Sequence, residues 1–97
     1  MIIEITESAT DEIAEGYLFY EMQQSGLGDY FESTILSEIR SLLVHGGAHE
    51  IHLEKYHRKI TRRFPYAIYY RVEDEVIRVY AVLDTRKNPE LISDKLN

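Results

Sequence analysis

Ala9, Ile13, Tyr17 and Tyr20 recur at spacings of four, four and three, so on a helix they share one stripe, while Asp11, Glu12 and Glu15 fall largely off it. This predicts a helix over residues 9 to 24. Thr6 and Ser8 are candidate N-caps, and Glu7, Asp11 and Glu12 suit the positive end of its dipole. The stretch SGLG, Ser25 to Gly28, then breaks the pattern. A second stripe, Phe31, Ile35, Ile39, Leu42 and Leu43, predicts a helix over 29 to 44, with Asp29 and Glu32 spaced like a capping box and Gly46 and Gly47 as the stop. Two amphipathic helices joined by so short a loop lie antiparallel.

From about Ile51 the period changes from helical to alternating. IHLEKYHRKITRRF, YAIYYRV and VIRVYAVL are rich in β-branched and aromatic residues and are separated by Pro65 and by Glu73-Asp74-Glu75, which predicts a three-strand antiparallel meander. MIIEI adds a short N-terminal strand. The order β-α-α-β-β-β is an α+β domain, with a helical hairpin on one face of a small, mainly antiparallel sheet. Alternation assigns Ile68, Tyr70, Val72, Ile77, Val79, Ala81 and Leu83 to the helix-covered face. The opposite set is Ala67, Tyr69, Arg71, Arg78, Tyr80 and Val82, expected on a face with no cover. Only the tail after Pro89, ELISDKLN, reads as loose or helical.

Charge sharpens this picture. The chain has 97 residues and a formal net charge of -6, yet Lys55 to Arg71 hold six cations and no acid. Residues 1 to 50 carry ten acids and one base, and residues 51 to 97 seven acids and ten bases, so the halves are net -9 and net +3. Such a stripe is rarely needed for folding and implies either a partner or a merely solvated face. The length fits a single domain, residues 1 to 97. With no cysteine there is no disulfide framework, thiolate metal site or cysteine nucleophile. MIIEITES is too short in apolar residues for a leader or a membrane span, so a soluble, cytoplasmic protein is expected. His45, His49, His52 and Glu50 are close in sequence, but the glycine pair interrupts the helix that would present them, and neither metal nor cofactor is expected.

The hairpin with GLG at its turn, the basic strand, RRFPYAIYYRV at 62 to 72, the turn VEDE and VIRVYAVLDTRKNP at 76 to 89 are together similar to the RelE/ParE toxins of bacterial toxin-antitoxin pairs. The resemblance implies a small toxin neutralised by a cognate antitoxin, which wraps it as a helix in a groove plus a strand on the sheet edge. It implies one of two targets: messenger RNA cut in the ribosome, or DNA gyrase bound and inhibited.

The resemblance also implies that a ribonuclease of this kind holds the phosphate with lysine and arginine on the sheet and moves protons with a late tyrosine or histidine. Arg58 falls where a catalytic lysine is expected, and Arg86 matches the late arginine. Ile60 and Ala67 replace the second lysine and another arginine, and KNPELISDKLN has no Tyr or His. A ParE-like toxin that acts by binding is therefore expected, with Arg58, Arg62, Arg63, Tyr69, Arg71, Arg78, Tyr80 and Arg86 as partner-binding residues. The alternatives are a ribosome-dependent endoribonuclease in which Arg58, Arg63 and Arg86 clamp the phosphate, and a non-toxic homologue that only binds antitoxin.

Overall fold

The structure, a computed structural model, describes residues 1–45, 50–52, 55–87 and 96, with 50–52 as backbone only. In chain order it forms β1 (Ile2–Ile5), α1 (Glu7–Gln23), α2 (Leu27–Arg40), a single turn α3 (Leu42–His45), β2 (Glu50–His52), β3 (Tyr56–Ile60), β4 (Tyr66–Glu73) and β5 (Val76–Asp84). The sheet order is β1-β5-β4-β3-β2, with β1 parallel to β5 and every other pairing antiparallel. The expected element order holds. The long basic strand expected from residue 51 to 64 is instead two strands. It stops at Ile60 because Thr61 turns inward: its N–H donates to the Tyr66 carbonyl at 2.9 Å, and its hydroxyl reaches the carbonyls of Phe64 and Tyr66, both at 3.0 Å.

Thr6 caps α1, its Oγ1 accepting from the Ala9 N–H at 3.1 Å. The buried stripe of α1 is Ala9, Glu12, Ile13, Gly16 and Tyr20. Tyr17, expected on that stripe, is only half-buried, and Glu12, expected off it, is buried. The capping box expected from Asp29 and Glu32 does not form; α2 begins at Gly26, whose φ of 90° places it in the left-handed region that glycine tolerates best. Glu21, from the last turn of α1, supplies the cap. Its carboxylate accepts from the N–H groups of Gly26 and Gly28 at 2.9–3.1 Å, so it closes the hairpin and meets the positive end of the α2 dipole.

Phe31, Ile35 and Ile39 of α2 and Leu42 of α3 face the sheet, as the periodicity requires. Leu43, expected among them, is half exposed because the helix breaks at Ser41 and restarts for one turn. Tyr20, Phe31 and Phe64 meet with ring centroids 4.8–5.2 Å apart, which joins both helices to the turn before β4.

The strand faces follow the alternation along β4 and half of β5. Ile68, Tyr70, Ile77 and Val79 lie in the core beneath the helices, and Ala67 and Tyr69 lie opposite. Val72, at the far end of the helix-side set, is partly exposed. Between Tyr69↔Ala81 and Tyr70↔Val79 the register shifts, leaving Tyr80 as an extra residue in a β-bulge. A one-residue bulge reverses the phase of everything beyond it. Ala81 and Leu83, expected under the helices, therefore belong to the opposite cluster, and Val82 takes their place in the core.

Gly16 sits where α1 crosses α2, and a Cβ there would lie 2.6 Å from two ring atoms of Phe31. The aromatic ring is held by its own neighbours and has little freedom to yield. Gly16→Ala is expected to lower unfolding free energy by about 1–3 kcal/mol, read as a fall in the urea midpoint at unchanged slope. An unchanged midpoint would mean that α1 and Phe31 do not approach this closely.

Candidate partner-binding surface

The face of the sheet away from the helices begins with a direct conflict: Arg71 on β4 and Arg78 on β5 are cross-strand partners. Like charges so placed repel. Two glutamates resolve it. Arg78 reaches Glu73 at 3.0 Å and Glu4 of β1 at 2.7 Å, while Arg71 lies 3.7 Å from Glu73. The Tyr80 hydroxyl donates to Glu73 at 2.9 Å, and the Arg71 guanidinium lies 6.0 Å from the centre of the Tyr80 ring. Two arginines and two glutamates cancel, so this part of the basic stretch is an ordered neutral network. The hydrogen bond from Tyr80, followed by the charges of Arg71 and Arg78, holds the Glu73 carboxyl below its usual range against the opposing effect of desolvation. Arg78 is pushed up by hydrogen bonds to Tyr80 and Glu4.

This face is not bare, contrary to expectation. Tyr56, Ala67, Tyr69, Ala81 and Leu83 form a second buried cluster with Leu96, whose carbonyl accepts from the Tyr56 hydroxyl at 3.1 Å. Leu96 is the one described residue of the tail, and the rest of ELISDKLN lies outside the described residues. Tyr69 retains 1% of its exposure and presents no surface to a partner. Tyr80 keeps partial exposure and packs edge-on against Tyr56, ring centroids 5.4 Å apart. Arg58 lies opposite Tyr69 on β3 and is half-buried. The exposed portion of this face includes Arg71, Arg78, Tyr80 and part of Arg58, together with Glu4 of β1 and Ile60 of β3.

The other candidates lie elsewhere. Lys59 points under α2, its Nζ 3.1 Å from Glu38 and bonded to Ser41. Arg62 and Arg63 project from the turn between β3 and β4 toward α2, where Arg63 donates to the Tyr30 hydroxyl at 2.9 Å. Arg86, at the end of β5, grips Asp84 through Nε at 2.9 Å and Nη2 at 2.6 Å. That hydrogen-bonded pair lowers the Asp84 carboxyl and raises the Arg86 guanidinium. The eight sequence-derived residues do not form one site. Alternation placed Arg71 and Arg78 together correctly, but it could not show the carboxylates beside them.

Arg86 also borders a cavity of about 330 Å³ between α1 and the end of β5, lined by Glu12, Gly16, Phe19, Tyr66 and Val82 among others. Inside it, Glu12 accepts the Val82 N–H at 2.9 Å. Burial, with added repulsion from Tyr20 and Asp84, pushes the Tyr66 phenol up to about 12. Sequence reasoning missed Glu12, although its place three residues after Ala9 on the stripe was a signal. Of the histidine group, residue 49 lies outside the described residues, and no metal-binding cluster occurs among the described ones.

A helical hairpin laid across a mixed sheet, with an N-terminal strand parallel to the last one, is the architecture of the RelE/ParE toxin class. The chain belongs to the ParE toxin family: residues 3–89 match the family described as "ParE toxin of type II toxin-antitoxin system, parDE". Among solved structures, "Chromosomal ParDE TA system from P. aeruginosa" superposes with a TM-score of 0.80 at 14% identity, covering 89% of this chain and 97% of that one, a likeness of fold. No curated protein matches the chain. No helix among the described residues is long and apolar enough to cross a membrane.

The shifted groups set the pH response. Glu73 and Asp84 titrate lower folded than unfolded, so their contribution is full above the ordinary carboxylate range of about 4 and is lost as pH falls through their depressed values. Tyr66 titrates higher when folded, so its contribution is full below its ordinary value of about 10 and drains as pH rises toward about 12. Urea midpoints measured against pH are expected to fall at both extremes. Glu73→Gln with Asp84→Asn should flatten the acid limb, and Tyr66→Phe the alkaline limb; limbs unchanged in these variants would assign the response to other groups.

Proposed function

We propose that this ParE-family toxin acts by binding and inhibiting a protein target such as DNA gyrase, and that a cognate antitoxin neutralises it. The observation that carries this reading is the dispersal of the three arginines a ribonucleolytic site would need. Arg58 shares the far sheet face with its cross-strand partner Tyr69, Arg63 is bonded to Tyr30 of α2, and Arg86 is bidentate on Asp84. A phosphoryl transition state gains from cations that converge on one oxyanion, and these three serve separate places. Ala67, where the ribonucleases would carry another arginine, is fully buried.

Antitoxin binding is supported by two features suited to an extended peptide. The cavity beside Phe19 and Tyr66 can take side chains of a docked segment, and among the described residues β1 is an edge strand of the sheet, where a further strand can add. Partner contacts on the far sheet face are assigned to Arg71, Arg78, Tyr80 and Arg58, with Arg86 at the cavity rim.

Production of the chain without antitoxin is expected to arrest bacterial growth, and the purified protein to inhibit gyrase supercoiling while leaving messenger RNA intact on translating ribosomes. Codon-positioned RNA cleavage that disappears in Arg86→Ala would overturn this reading in favour of the ribonuclease. Reversing Arg71 and Arg78 to glutamate should weaken partner binding by about tenfold or more. Glu32→Lys, on the exposed side of α2, is expected to change it little; Glu12 and Glu15 are unsuitable as controls because both line the cavity.

A further inference from the structure

Arg62 and Arg63 belong to the basic stretch but lie off the far sheet face, on the turn that faces α2. The turn presenting them is fixed at several points. Thr61 closes it from within, and the buried Phe64 ring anchors it among Tyr20, Tyr30 and Phe31, with ring centroids 4.8–5.5 Å away. The Pro65 carbonyl accepts from both the N–H and the hydroxyl of Thr85, at 2.8 and 3.1 Å. Within this rigid frame Arg63 has a φ of 72°, a left-handed conformation that costs a non-glycine residue on the order of 1 kcal/mol. A glycine would remove that cost, but it could not carry a guanidinium to the mouth of a groove.

The groove runs between this turn and α2. Its two adjoining cavities, of about 340 and 450 Å³, share Ser37, Glu38 and Arg62. Three cations line it, Lys59, Arg62 and Arg63, against one carboxylate, Glu38, which is occupied by Lys59 at 3.1 Å. Among the described residues neither Arg62 nor Arg63 has a carboxylate partner. Arg63 spends one N–H on the Tyr30 hydroxyl at 2.9 Å, and its guanidinium carbon lies 5.9 Å from the centre of the half-exposed Tyr30 ring. The remaining guanidinium donors, with the hydroxyls of Thr34 and Ser37 across the groove, outnumber what one carboxylate accepts and suit a phosphoryl group with three oxygens. Tyr30 adds an aromatic surface on which a base can stack.

We propose that the groove between α2 and the 62–65 turn is a phosphoryl-anion site for nucleotides, filled either by the backbone of a single strand or by the phosphate of a free nucleotide. It lies away from the far sheet face and does not depend on the reading of the target above. Fluorescence anisotropy with a labelled oligouridylate at low salt, and backbone amide shifts with uridine monophosphate, test it on the full chain. Perturbation of Thr34, Ser37, Arg62 and Arg63 is expected. Binding by the oligonucleotide alone assigns the site to strand backbone, and equal occupancy by the monophosphate assigns it to free nucleotide.

Arg63→Gly should weaken binding by about tenfold or more, as loss of a charge-assisted contact implies, while stability holds or rises because the strained φ is relieved. Arg62→Ala, at an exposed side chain, should weaken binding comparably and serves if Arg63→Gly fails to fold. Arg40→Gln, the same charge loss on the exposed side of α2, should leave binding unchanged. Binding insensitive to Arg62 and Arg63, absence of shifts in the groove, or equal affinity for an oligoglutamate of matched charge would each overturn the proposal, the last in favour of an acidic protein segment.

Discussion

The hydrogen bond from the Val82 N–H to the buried Glu12 carboxylate, at 2.9 Å, joins the two layers at the point where the sheet would otherwise fail. β1 stops pairing with β5 at Val79, and the bulge at Tyr80 disrupts the ladder with β4 just beyond it. A buried N–H left unmatched there would cost about 1–3 kcal/mol. Glu12 stands in for the absent strand, which fixes the rotation of α1 about its axis. That rotation in turn places Gly16 against Phe31 and Tyr20 among the rings of Phe31 and Phe64. The bulge then decides which residues of β5 serve the helix-side core and which build the cluster around Tyr69 and Leu96.

The same economy governs charge. Cations of the second half are matched partly by acids from the first, Glu4 for Arg78 and Glu38 for Lys59, and partly by near neighbours, Glu73 for Arg78 and Asp84 for Arg86. Two of these pairs join the acidic first half to the basic second half. Exposed pairs of this kind are worth little individually. Networked through Glu73 and Tyr80, however, they hold two arginines in fixed directions, which matters more for recognition than for stability. Arg62 and Arg63 have no such carboxylate partner among the described residues, and the turn that carries them is braced on Thr61, Phe64 and Pro65 instead.

Much of the architecture was legible in sequence because it rests on local periodicity. The stripe Phe31, Ile35, Ile39, Leu42 marks α2 and the turn after it, Thr6 marks the start of α1, and the alternation of Ala67, Ile68, Tyr69 and Tyr70 marks both faces of β4. Each of these signals lies within one element and needs no knowledge of a partner. The resemblance carried by RRFPYAIYYRV then identified the toxin family.

What only the tertiary structure decided involves residues brought together from far apart. A bulge depends on the mismatch between two strands, so the inward turn of Val82 and outward turn of Ala81 and Leu83 could not be read from β5 alone. Glu12 looked like a surface acid because its acceptor role depends on an N–H seventy residues away. Glu21 likewise caps a helix other than its own. Sequence by itself determined most of the elements, their order, the family and the positions of the arginines along the chain. Folding determined which arginines are neutralised and which face a groove, because electrostatic and hydrogen-bonding partners are set by three-dimensional distance, whereas hydrophobic periodicity is already written along the chain.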